Sequence, residues 1–179
     1  MKFFLIGLQL MLSSYMLNAQ NVFPNGFSNA LNAVLKDYPN KFESIRGSIT
    51  ISNNGYTRYE SWIKIPGSEL CLIGDYTTSQ EFSIFYLEKP SAKAEEDYLS
   101  FITKFKNVAL IVSFEKSNEA SASRNESYHP TSGGRDIYKK TTFICSSLDS
   151  KYNKLVIEVT LLTGEWPNAQ MVVSINSGN

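Results

Sequence analysis

The chain has 179 residues, 42% of them hydrophobic and 13% aromatic, enough to bury one real core and too little for two comfortable ones. Lysine plus arginine equals aspartate plus glutamate at 17 each, and the sequence pI is near 6.6. That balance disfavours nucleic acid, anionic membrane and polyacidic substrates as partners.

Met1-Lys2 is a short basic start, Phe3 to Leu12 an apolar run, and Ser13 to Ala19 a more polar end closing on a small residue. This is the layout of a secretory signal over residues 1–19, with cleavage expected between Ala19 and Gln20. The segment resembles the signal peptides of Gram-negative bacterial exported proteins. Its alternative is an uncleaved anchor, but the apolar run is shorter than the ~20 residues a membrane-spanning helix needs. No cysteine lies at the cut to carry a lipid. Residues 20–179 are therefore expected to form one domain, periplasmic or extracellular, with no stable membrane anchor.

After a polar lead-in from Gln20 to Gly26, Phe27, Leu31, Val34, Leu35 and Tyr38 recur at helical spacing, and Pro39 stops the helix. A meander follows. Ser48 to Ser52 and Tyr56 to Ile65 flank Asn53-Asn54-Gly55, a hairpin signal because Asn and Gly both tolerate positive φ. Ile65-Pro66-Gly67-Ser68 suits a type II turn. Leu70 to Ile73 and Glu81 to Leu87 are the next strands, joined by a turn from Gly74 to Gln80.

The second helix begins after Pro90, with Ser91 expected as its cap, Glu95, Glu96 and Asp97 in the first turn, and Lys104 and Lys106 in the last. Ala94, Tyr98, Phe101, Ile102 and Phe105 form one stripe of it. Phe82 to Leu87 before it and Val108 to Val112 after it are apolar on both parities, as central strands are, so cover is needed on both sheet faces. The two helices carry near-identical stripes. They fit a duplicated unit of one helix plus several strands, although any amphipathic helix shows these offsets and the following strands do not align.

Glu115 to Arg135 is serine, asparagine and charge, and is expected to be a long polar loop. Strands follow at Ile137 to Cys145 and at Asn153 to Leu162, where Leu155, Ile157, Val159 and Leu161 alternate with polar residues. Past Trp166-Pro167, Met171, Val173 and Ile175 mark a last strand. The expected fold is α+β, a mostly antiparallel sheet of seven or eight strands with two amphipathic helices packed on one face. A partly closed β-barrel around a helix is the alternative.

Catalytic and metal signatures do not emerge. His129 is the one histidine, in the polar loop, and no cysteine pair has zinc spacing. There is no Gly-x-Ser-x-Gly elbow, Gly-x-Gly-x-x-Gly motif or phosphate loop, and no cofactor is expected. Ser61 with Lys64 and Ser113 with Lys116 have acyl-enzyme spacing, but on strands residues three apart point to opposite faces. In an exported protein Cys71 and Cys145 either join in a disulfide, for which chain entropy gives roughly 4 kcal/mol, or are two buried thiols.

Tyr56, Arg58 and Trp62 share one parity of a strand with Glu60 and Lys64. Such a mixture of rings and charges either recognises something or is an ordinary outer sheet face. These three residues are the candidate binding site. The function expected is that of a non-catalytic binding module with an unidentified protein partner. A carrier of a small apolar ligand and an enzyme using dispersed carboxylates such as Asp75, Glu81 or Asp136 are the alternatives. Mass spectrometry of the exported protein should give a chain beginning at Gln20; a mass retaining Met1 to Ala19 would overturn the export reading.

Overall fold

A computed structural model describes residues 26–121, 137–163 and 168–177; the expected signal segment, His129, Asp136 and residues 122–135 of the expected loop lie outside them. Helix α1 (Phe27–Asp37) forms on the expected stripe, burying Phe27, Leu31, Val34 and Leu35 together with Ala30. At Pro39 the chain tightens into a 3-10 turn, Tyr38–Asn40. Lys41 and Phe42 then take left-handed backbone angles, with φ of 56° and 60°. A bulky residue holds that conformation only where packing over-determines it, and the fully buried Phe42 ring sits 5.8 Å from that of Phe82.

The meander comprises β1 (Arg46–Asn53), β2 (Tyr56–Ser61), β3 (Leu70–Tyr76) and β4 (Gln80–Phe85). Asn53 pairs with Tyr56, so Asn54-Gly55 is the whole β1–β2 loop, and of the two only Gly55 has positive φ. Gly67 has φ 89° and Ser68 N donates to Ile65 O at 3.0 Å, as a type II turn requires. β2 ends at Ser61 and not Ile65, because Ser61 Oγ accepts from Ile63 N and takes the chain out of the ladder. Ile63 and Ile65 are buried all the same.

The short β5 (Lys89–Pro90) leads into helix α2 (Ser91–Asn107), whose five stripe residues are all buried. Ser91 is its first helical residue and not its cap; Pro90 holds that position and has no side chain to accept a hydrogen bond. Pairing of Lys89 and Pro90 with Ala169 and Asn168 fixes the entry in its place. The acidic residues fall beyond the first turn, and all three form ion pairs, Asp97 with Lys89, Glu96 with Lys93 and Glu95 with Lys139.

Residues 108–112 do not form the expected strand. Their backbone is held by α1. Asn32 donates through Nδ2 to Ala109 O at 3.0 Å and accepts at Oδ1 from Ile111 N at 2.8 Å, while Ser28 Oγ also donates to Ala109 O. One side-chain amide thus replaces a neighbouring strand, and Val112 is buried from a loop. Conversely, β6 (Phe114–Ser121) occupies the start of the expected loop. It pairs with β7 (Ile137–Cys145) through a register shift between Lys116 and Asn118. Charge and a bulge are the usual guards of a sheet edge.

With β8 (Leu155–Thr163) and β9 (Asn168–Ser177) the order is β1-β2-β3-β4-β9-β8-β7-β6, a nine-stranded antiparallel sheet counting β5. That is more than the seven or eight strands expected. β1 and β6 are its edges and do not pair with each other, which rules out the barrel alternative. The connectivity repeats: α1 leads through β1 to β4 and α2 through β6 to β9, each meander running from an edge to the centre. This is the chain path of a duplicated helix-plus-strands unit.

One parity of the strands builds the core, with Ile73, Phe82, Ile84, Ile157, Val159, Val173 and Ile175 fully buried. Helix α2 lies against β8 and β9 and meets α1 where the Phe27 and Phe101 rings cross at 5.3 Å. Tyr98 Oη and Thr141 Oγ1 form a buried hydrogen bond of 2.7 Å between α2 and β7. Asn32→Ala should lower stability by about 1 kcal/mol, the net worth of exposed neutral hydrogen bonds. Urea unfolding measures it.

Candidate functional site

The second parity of the strands builds the opposite face, and the register places its residues in rows. One row runs Glu60, Leu72, Ser83, Ser174, Glu158 and Thr142 across six strands. Another begins with Arg58, Gly74, Glu81 and Asn176. The two rows are tied together at Glu81, whose Oε1 accepts from Ser83 Oγ at 2.6 Å and Ser174 Oγ at 2.7 Å. Farther along, Lys140 Nζ meets Glu158 Oε1 at 2.5 Å, both side chains about a third exposed.

Tyr56 and Arg58 are brought together as their shared parity implies. Arg58 Nε donates to Tyr56 Oη at 2.5 Å, and the guanidinium lies 5.4 Å from the ring centre. The third member of this cluster is Tyr76, paired with Tyr56 across β2 and β3, with ring centres 4.8 Å apart. Tyr76 bends back over Gly74, where a Cβ would stand 2.9 Å from the ring, so a side chain at Gly74 would displace it. Tyr76 as a whole remains 40% exposed. Burial pushes its phenol pKa up and nearby Glu81 adds to the shift, so the hydroxyl stays protonated.

Trp62 does not join the cluster. It is half exposed beyond the end of β2, six positions from Tyr56, about 20 Å at strand rise. Tyr76 was hidden from sequence reasoning because Gly74 to Gln80 has turn composition, yet β3 continues through Tyr76. Glu81 and Ser83, two apart on an expected strand, were a detectable pair; Ser174 needed the strand order.

Beside this cluster an open groove of about 520 Å³ is lined by Gln80, Glu81, Glu158, Asn176 and Lys154 among others. A second, of about 330 Å³, lies past the end of α2, with Phe105, Val112, Phe114 and Phe143 below Lys106 and Lys116. A third, of about 200 Å³, adjoins Phe27, Tyr86 and Phe101 beside the Lys89–Asp97 pair.

The carboxylates Asp75 and Glu81 do not converge. Asp75 shares the core parity and is held by Arg46 Nη1 and Gln80 Nε2, each at 3.0 Å, whereas Glu81 is on the other face. Asp136 lies outside the described residues. Among the described residues no three His, Cys, Asp or Glu side chains gather to hold a metal ion.

The disulfide alternative is corrected by the strand order. Cys71 on β3 and Cys145 at the end of β7 are separated by β4, β9 and β8, roughly 19 Å at the usual strand spacing. Both are free, buried thiols, and burial pushes the Cys71 thiol pKa up. No bridge contributes to stability.

No family model, curated protein or solved structure matches the chain. Its site is defined by its own geometry. Thiol labelling should find both cysteines unreactive in the native protein and both reactive once it is denatured without reductant; fewer than two labelled thiols would contradict the strand order.

Proposed function

We propose that the chain is an exported, non-catalytic binding module of one domain, with both helices on one face of the sheet and the other face free to meet a partner. The observation that carries this reading is the second face itself. From β2 to β7 it offers interlocked polar rows and a tyrosine pair, and Ser83, Ser174, Glu158 and Tyr56 along it are only partly buried. Tyrosine and arginine are the side chains that most often anchor interfaces, and here both stand at one end of an extended surface. Separation of Asp75 from Glu81 on opposite faces speaks against a carboxylate pair acting on one substrate.

The carrier reading keeps one supporting feature. The 330 Å³ groove has an aromatic floor and two lysines, and it fits a small amphipathic anion better than an apolar one.

The test compares the two faces. Tyr76→Ala and Arg58→Ala should each weaken partner binding, by about 2 kcal/mol where the residue is an anchor, whereas Trp62→Ala should do so only if the contact extends past the end of β2. Leu99→Ala, on the half-exposed surface of α2, should leave it unchanged. Loss of binding in Leu99→Ala with the sheet-face variants silent would contradict the proposal, and turnover of a small molecule abolished by Glu81→Gln would replace it with the enzyme reading.

A further inference from the structure

Resting on the binding-module reading, we infer that the ligand of the sheet face is a neutral oligosaccharide, stacked on Tyr76 and hydrogen-bonded along the groove beside it. Three features identify that chemistry. The first is charge: from β2 to β7 the face and its groove carry Arg58, Lys140 and Lys154 against Glu60, Glu81 and Glu158. The balance is local, Glu158 being paired with Lys140, so a polyanion or polycation gains nothing here. A neutral ligand loses nothing.

The second is the density of groups able to both donate and accept. Ser83 and Ser174 spend their protons on Glu81, which leaves hydroxyl oxygens as acceptors, while Asn176 and Lys154 supply donors in the same groove. Sugar hydroxyls are themselves donor and acceptor at once and match such a mixed array. A protein partner presents mostly apolar area with fewer polar groups at an interface core.

The third is the ring. Tyr76 packs on Gly74 and against Tyr56, and Arg58 holds the Tyr56 hydroxyl, so the exposed Tyr76 ring is braced. The axial C–H groups of a pyranose stack on such a rigid ring without an ordering cost. Tyr76 N also donates to Ser79 O at 2.9 Å, closing the turn that brings Ser79 and Gln80 to the groove mouth. The platform therefore adjoins the groove through Ser79 and Glu81, which line it, Glu81 standing opposite Gly74 in the register.

The experiment is a glycan array carrying neutral, sialylated and sulfated oligosaccharides, probed with the purified chain and its variants, each checked for an unchanged melting transition. Retention of neutral glycans is expected, with Tyr76→Ala lowering affinity by about tenfold or more and Tyr76→Phe, which keeps the ring, by far less. Retention of anionic glycans alone, or a folded Tyr76→Ala variant that binds like the parent, would overturn the assignment. A blank array would also overturn it. If sheet-face variants still lose a protein partner in that case, only the glycan assignment fails; if nothing binds the face, the binding-module reading fails with it.

Discussion

The pairing of β4 with β9 is the constraint on which the rest of the sheet depends. Each helix-plus-strands half ends in the strand that must find the other half, and the two meet antiparallel from Glu81 opposite Asn176 to Phe85 opposite Val172. Without this seam each meander would end in an unpaired strand edge, an invitation to aggregate. With it, Phe82, Ile84, Val173 and Ile175 form the middle of one core, and α2 crosses onto β8 and β9 above them. The same pairing sets the other face, since Ser83 and Ser174 stand directly opposite each other and both reach Glu81.

This arrangement divides the labour between parities. The core parity is nearly continuous and carries stability, with its few polar members satisfied inside it, as Thr141 is by Tyr98. At one margin Arg46 stacks over Tyr59, 4.8 Å from the ring centre, and pairs with Asp75, while its Nε is buried without a partner among the described residues. The other parity can vary without cost to the core. A broad sheet face released from packing is a natural place for recognition, and its tyrosine cluster is held by close contacts and not by loops, which favours a preorganised surface.

Much of the fold was legible because period and burial agree. The stripe Ala94, Tyr98, Phe101, Ile102 and Phe105, the alternation of Leu155 to Leu161, and the Pro66-Gly67 turn each state their local structure directly, and each is found as expected. What was not legible depends on partners distant in sequence. Val108 to Val112 is apolar enough for a strand, but Asn32 satisfies its backbone and makes it a connection. Phe114 to Ser121 is polar enough for a loop, but an edge strand needs no apolar face. At the candidate site, the Tyr56–Arg58 pairing follows from parity alone, whereas Tyr76 enters through strand register and Trp62 leaves it because β2 stops early. Cys71 and Cys145 looked bridgeable only while strand order was open.

The seam can be tested by placing cysteines at its centre. Ser83 and Ser174 are direct cross-strand partners, and such partners have α-carbons about 4.5 to 5.5 Å apart, within the range a disulfide spans. In a Cys71→Ala, Cys145→Ala background, the Ser83→Cys, Ser174→Cys variant should oxidise readily in the native state, giving one bridge and no free thiol on labelling after denaturation. Two free thiols in the folded, oxidant-treated protein would contradict the pairing of β4 with β9, and with it the single sheet and the recognition face we propose on it.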